Sequence, residues 1–540
     1  MKILKKIDCN RRQRLVTALC LCIVCIGTQR IQTEKWDSGI IDGFRDSLGI
    51  LMAAILFTHY KWSDFLKYRL PYLIWTGVGL VACAVAVPIA ISKRLDYLAA
   101  DTVIIAVGCF LMGYCVIHTA ISFFVEKRRP MFYVPLAVIW IVMLLWMIFS
   151  KSEYVWPECY FVLFLCYYLT EQTPEQRRNV TLGILDGIIL GFIIVQSHSL
   201  LCRPYDVVRY KGNFCNPNHN CVFLCFCLAA ILSKLLFLAK EEGRRLVRIF
   251  YFLLAEACYA FIFMTVCRSG YLTVFVMTVF FLIAYCRIRG KMVFFRMGAL
   301  LVAVFIAVLP ATYLAVRYVP TIHPHVVFYF QEGYDPDLLV HSWDKRDSEK
   351  YVTFQRLLSC VFGRFQGTLL DYETFRGREQ GAIRTRQVML LASNGARLSA
   401  AFLTDANKIP ALDAEQAGDA FLVRYTIYKW YVDHLSLRGM PYDEQGFQLT
   451  EKHWIQDTHN IYLDYGINFG WPAMLLFIVF IWWGIGRLTK KGWKGRDPES
   501  FAYLLIALVP PIFGLFEFAW GAGTLYTVAF YLAFRKMMES

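Results

Sequence analysis

Apolar residues run along this chain in blocks of roughly 17–25, the length at which an α-helix spans the hydrocarbon core of a bilayer. A helix satisfies its own backbone hydrogen bonds, so lipid admits it where it excludes loops and open strands. Several blocks are apolar on every side and need lipid or other helices all round. The chain is 58% hydrophobic and only 18% charged, too little charge to cover a soluble protein of 540 residues. The sequence predicts an all-α fold, a polytopic membrane helix bundle of about 12–14 spans. The candidate spans are 15–29, 39–59, 71–92, 102–125, 132–149, 153–170, 180–200, 219–239, 246–266, 269–286, 292–317, 460–486, 501–518 and 521–534.

The net charge of +15 does not point to nucleic acid, because no binding motif accompanies it and the cations sit in short links between apolar blocks. The basic stretch Met1–Arg14 precedes an apolar run with no small-residue cleavage site after it, which reads as an uncleaved first span. With that end inside, the links 61–69, 126–130, 171–179, 240–248, 287–296 and 487–499, together with both termini, hold about 29 Lys and Arg. The short links of the opposite face hold about 9. Both termini are then cytoplasmic, in the inner membrane of a cell. Most of the cysteines fall inside apolar blocks as small hydrophobes, although Cys202, Cys215 and Cys221 are close enough in sequence for a disulfide among them.

Membrane helices at 1–317 and 459–540 flank a link over 318–458, too long for an ordinary loop and placed on the outer face. Helical patterning at 350–365, at 380–403 and from Phe421 predicts a mostly helical extracytoplasmic cap. In the last of these, Tyr425, Tyr428, Val432 and Leu435 form one apolar face.

Charged residues near a membrane are costly, so those on the outer side carry most of the information. Arg203, Arg209 and Lys211 stand in one outer link with Asn216-Pro-Asn218, a turn that caps the next helix and offers free N–H groups beside arginines. That is an anion site, or a plain turn with surface cations. Arg268 occupies a link so short that it must lie at the outer interface, where a snorkelling arginine is the alternative. Arg424 sits beside the apolar stripe of the cap helix, near Trp430; the stripe reads as packing more readily than as a sugar platform.

His459 follows Asp457 and Thr458, either of which can cap a helix there, and shares a helical face with Gly470. Pro472 then kinks the chain into the next span. His459 is the one neutral-pH base among these clusters, although a lone interfacial histidine is more often structural. Asp335-Pro-Asp337 and His323-Pro-His325 are weak metal motifs, and no nucleotide motif is present, so no metal or cofactor is expected.

Taken in order, these clusters resemble the O-antigen ligase and O-antigen polymerase family over roughly residues 200–490. The marks are Arg209 with Gly212-Asn-Phe-Cys-Asn-Pro-Asn218, Arg268 with Leu272, Arg424 with Trp430 and Leu437-Arg-Gly439, and His459 with Gly470. Cys267 and Met440 depart from the pattern, as do the extra spans.

The resemblance implies a GT-C-like, metal-independent membrane glycosyltransferase. Such an enzyme moves a glycan from undecaprenyl pyrophosphate to lipid A–core, growing polysaccharide or protein on the outer side of the membrane. It implies Arg268 and His459 as catalytic residues, with Arg203, Arg209, Asn218, Arg424 and Gly470 binding substrate. A transporter or flippase for lipid-linked saccharides is the alternative, since Asp186 and Glu256 lie within spans.

Overall fold

A computed structural model describes residues 9–29, 47–60, 62–92, 100–128, 132–154, 156–169, 172–201, 205–206, 209–214, 216–241, 243–290, 293–319, 354, 357–358, 361, 420–450, 453–456, 458–517 and 525–539. Its helices are α1 (Cys9–Gly27), α2 (Leu48–Phe57), α3 (Trp62–Lys67), α4 (Arg69–Ser92), α5 (Ala100–Ala120), α6 (Val134–Ile148), α7 (Trp156–Tyr168), α8 (Pro174–Leu201) and α9 (Pro217–Ala239). They continue as α10 (Arg245–Met264), α11 (Arg268–Arg289), α12 (Phe294–Tyr318), α13 (Ala420–Asp433), α14 (Ile461–Phe469), α15 (Trp471–Gly495), α16 (Pro498–Phe513) and α17 (Leu525–Met538).

The protein is a polytopic helix bundle. Among the described residues, eight helices are long and apolar enough to cross a membrane: α4, α5 with the π turn after it, α8 to α12, and α15. The expected spans at 39–59, 132–149, 153–170 and 501–518 contain shorter helices of 10–17 residues. These need not match the bilayer thickness, because they pack on protein. Every residue of α16 from Ser500 to Phe513 is buried. Helix α9, with 94% of its apolar window buried, lies beside it at the centre of the bundle. At the other extreme α4 buries 6% of its window, and Leu73, Leu80 and Val81 face outward, a surface suited to lipid.

Close packing rests on small residues where helices touch. A Cβ on Gly183 or Gly187 of α8 would lie 2.7 Å from the Arg14 carbonyl or 2.4 Å from the Ala18 carbonyl of α1. The same contact brings Asp186 to Arg14 Nε and to the buried Lys234 Nζ of α9, each at 2.6 Å. Glu256, halfway along α10, is fully buried, and neither carboxyl oxygen has a hydrogen-bond partner among the described residues.

Residues of several basic links meet one another in the bundle. Arg287 donates to the Trp493 carbonyl, Arg487 stacks on Tyr133, and Lys536 reaches Glu499 and Glu539, which marks a basic end. The opposite end joins Thr28 to Leu525, Tyr526 to His219 and Lys151 to Arg438.

Of the 318–458 link, the expected helix at 380–403 lies outside the described residues, and so do both weak metal motifs; at 350–365 only 354, 357, 358 and 361 are described, and they are helical. From Ala420 the chain forms α13 and then a hairpin that the sequence reading missed, β3 (Phe447–Thr450) against β4 (His453–Ile455). The hairpin shifts the buried side of α13, although Tyr428 and Leu435 of the expected stripe still pack against it. Ile427, Trp430 and Tyr431 pack on Phe447, Leu449 and Ile467, whereas Tyr425 and Val432 of the expected stripe are more than half exposed. Both faces of α13 are apolar, and its neighbours choose between them.

Cys202 and Cys215 also lie outside the described residues, while Cys221 is a free thiol hydrogen-bonded to Cys225 and Cys267.

Candidate functional site

The first sequence cluster is held by buried amides. Strand β1 (Tyr205–Asp206) pairs with β2 (Arg209–Tyr210). The Tyr210 hydroxyl donates to Gln196 at 2.8 Å, and Asn213 donates to Gln29 at 3.1 Å. These bonds fix the backbone on either side of Arg209. Its Nε donates 2.9 Å to the Thr265 carbonyl, and a terminal guanidinium nitrogen donates to Asn218 Oδ1.

Asn218 lies in the first turn of α9. Asn216 caps that helix by accepting the Asn218 N–H at 2.8 Å, and its carbonyl takes the N–H groups of His219 and Asn220. The free helix-start amides expected from the sequence are therefore engaged within the chain. Any anion here must be held by side chains instead.

Thr265, the acceptor of Arg209, ends α10. Val266 follows with φ +50°, a left-handed conformation that is costly for a β-branched residue. It reverses the chain so that Cys267 caps α11 and Arg268 opens it. Arg268 is exposed and makes no hydrogen bond or ion pair among the described residues, so its guanidinium is available. Cys267 beside it lies within electrostatic reach of Glu517.

The third and fourth clusters are stitched together by backbone. Gly439 has φ +78° and Gly470 has φ +92°. A Cβ on Gly439 would fall 2.3 Å from the Asn468 carbonyl, and one on Gly470 would fall 2.1 Å from the Leu437 carbonyl. Leu437-Arg-Gly439 and Asn468-Phe-Gly470 thus pack main chain against main chain, where only glycine fits. Gly470 breaks the helix expected over 460–486 into α14 and α15, and Pro472 starts the second helix rather than kinking a continuous one.

The cap of α14 is Asn460, whose side chain accepts from Tyr462 and Leu463. Thr458 instead accepts from the Asn460 N–H, and Asp457 lies outside the described residues. His459 precedes the cap with φ +49°. The Tyr428 hydroxyl donates to the His459 carbonyl at 3.2 Å, which ties α13 to this turn. Burial raises the Tyr428 phenol above its ordinary value against the opposing charge of Arg424, so it remains a donor at neutral pH.

These clusters meet at a residue the sequence reading did not select. Glu517 Oε1 accepts from Asn218 Nδ2 at 2.7 Å and from Arg424 at 3.3 Å, while Oε2 lies 3.5 Å from His459 Nδ1. Its side chain is 10% exposed, against 43% for Arg424 and 36% for His459. The turn that presents it is sewn to the His459 segment. Ile461 N–H donates to the Gly514 carbonyl at 2.8 Å, and Asn460 Nδ2 and Tyr428 both donate to Leu515. The signal was present: Glu517 is the only charged residue in the expected span 501–518.

Arg209, Asn218, Arg424 and Glu517 are thereby joined in one bonded network, with His459 3.5 Å from its carboxylate. Arg268 makes no hydrogen bond or ion pair among the described residues and follows Cys267, which lies within electrostatic reach of Glu517; Gly470 lies in the supporting turn, and Arg203 lies outside the described residues. Among the described residues no group of His, Cys, Asp and Glu is arranged to hold a metal ion. The network can bind an anion through guanidiniums and can offer an imidazole backed by a carboxylate. No family model matches the chain, and neither a curated protein nor a solved structure does.

Proposed function

We propose that the protein is a membrane glycosyltransferase that moves a glycan from undecaprenyl pyrophosphate to an acceptor hydroxyl, as its resemblance to O-antigen ligases and polymerases implies. The reading rests on one observation: residues from separate sequence clusters, Asn218, Arg424 and His459, converge on Glu517, with Arg209 held by Asn218. Packing alone gives no reason for two arginines, an amide and a histidine to gather around one buried carboxylate. With the basic end of the bundle in the cytoplasm, this rim faces outward, and the 318–458 link forms a cap over a GT-C-like membrane domain.

The chemistry follows from the side chains. Three guanidiniums and one carboxylate leave two positive charges in excess, which suits the doubly charged pyrophosphate of such a donor. The acceptor oxygen bonds to the anomeric carbon as the bond from that carbon to the pyrophosphate oxygen breaks. The electron pair leaves with the pyrophosphate, where Arg209, Arg268 and Arg424 stabilise it. With His459 Nδ1–H donated to Glu517, Nε2 takes the acceptor proton. The lipid tail lies between membrane helices. Whether the acceptor is lipid A–core, a growing polysaccharide or a protein depends on groups outside this network.

Transfer by purified protein in detergent is the test. Arg268→Ala and His459→Ala should each lower transfer about 100-fold or more while leaving the fold intact. Full activity in both variants would rule out the site. Glu256 favours a second reading, because a buried midspan carboxyl without a hydrogen-bond partner among the described residues is a transporter feature. A flippase would convert nothing in detergent, where no compartments exist.

A further inference from the structure

The state of Glu517 carries an inference about how the proposed donor engages, and it rests on that donor reading. We infer that Glu517 is an internal stand-in for the donor's phosphate: the incoming phosphate takes Arg424 and Asn218 from it, and the released carboxylate turns to His459. Donor binding thus switches on the base, and the donor binds before the acceptor.

The two oxygens of Glu517 divide the site. Oε1 holds both groups suited to a phosphate oxygen, Asn218 Nδ2 at 2.7 Å and Arg424 at 3.3 Å. Among the described residues Oε2 is reached by His459, at 3.5 Å, just too far for a good hydrogen bond. Arg424 offers this carboxylate a single nitrogen at a long distance, although a guanidinium binds phosphate with two parallel bonds. A phosphate therefore outcompetes Glu517 for that side chain. Arg424 is also the more exposed partner, so an anion arriving from solvent meets it first.

A carboxylate this buried cannot stay unpaired. Once Arg424 leaves, the imidazole at 3.5 Å is the replacement at hand among the described residues, and a small side-chain rotation closes that gap. The backbone need not move, because Tyr428 and Asn460 pin both turns through the His459 and Leu515 carbonyls. Without donor, His459 has no carboxylate in good hydrogen-bond contact among the described residues to orient its ring, which protects the donor from water that arrives early.

The test uses inorganic pyrophosphate as the probe, titrated calorimetrically into full-length protein in detergent. Glu517→Gln removes the competing charge, so pyrophosphate should bind about tenfold tighter or better than to wild type. Glu517→Asp keeps the charge but draws it back by one methylene. It should also bind pyrophosphate more tightly, by less, and it serves where the amide variant does not fold. A role confined to holding the fold together predicts weaker binding in both. If wild type binds pyrophosphate and both variants bind it equally or more weakly, the exchange is overturned and the donor site stands. Pyrophosphate binding to none of the three proteins would overturn the exchange and the donor reading together.

Discussion

Asn218 donates its side-chain N–H to Glu517 across 2.7 Å, although 299 residues separate them. The other end of the same amide accepts from Arg209. An amide fits between a cation and a carboxylate because it offers an acceptor to one and a donor to the other.

Asn218→Asp should therefore fail although it is nearly isosteric. The new carboxylate faces Glu517 and repels it, while Arg209 is drawn to neutralise the pair. Transfer should fall about 100-fold, and pyrophosphate binding should weaken, in assays of the purified variant. Activity within about twofold of wild type would show that the amide does not organise the site.

Gly439→Ala and Gly470→Ala each place a methyl group within 2.3 Å of a facing carbonyl oxygen. Each should destabilise by about 2 kcal/mol or more, read as a lower unfolding temperature in detergent. The double variant should cost less than the sum of the two single variants, since both substitutions part the same contact. Neither glycine touches Glu517, yet transfer should fall with stability because Gly470 sets where α14 and His459 lie.

Asp186→Asn leaves Lys234 buried without its counter-charge. Losing one partner of a buried pair costs about 3–5 kcal/mol, and the thermal transition should fall accordingly. Replacing both residues by leucine should recover most of the loss. If the double variant is as unstable as the single one, the triad does more than neutralise charge.

At the basic end, Asp497 caps α16 by accepting from the N–H groups of Glu499 and Ser500. Burial alone would raise its carboxyl, but the Ser500 hydrogen bonds and the Lys536 charge outweigh that and hold it below the ordinary value. A depressed carboxyl stabilises the fold fully above its unfolded value, near 3.8, and that stability is lost as pH falls through the lower folded value. Asp497→Asn should flatten the stability profile in this acid window and leave its shape unchanged above about pH 6. An unchanged acid limb would remove the cap from the account.

Much of the bundle was legible in the sequence because its signals are local. The start of α9 was readable from Asn216-Pro-Asn218, and the segregation of basic links from the spacing of apolar blocks. The apolar stripe of α13 was legible as a stripe, but its buried side was not. Tyr425 and Val432 look as apolar as Ile427 and Tyr431 until the hairpin at Phe447 covers one pair. Asn460 was passed over as a cap because Thr458, Asn460 and Asp457 are all good cap residues, and only the entry angle of α14 selects one.

Glu517 marks the boundary. By itself the sequence determined a bundle of membrane-spanning helices with cations gathered at one end. Length, hydropathy and charge act on each segment separately, and an apolar block of this length satisfies its own backbone in a bilayer as a local helix. Tertiary structure decided which polar groups share a rim. A carboxylate in an apolar stretch can be a lipid-facing anomaly, a helix end or a hub, depending on what other helices bring to it. Here α9 brings Asn218, α13 brings Arg424 and the turn before α14 brings His459, and a buried charge keeps its place only with such partners.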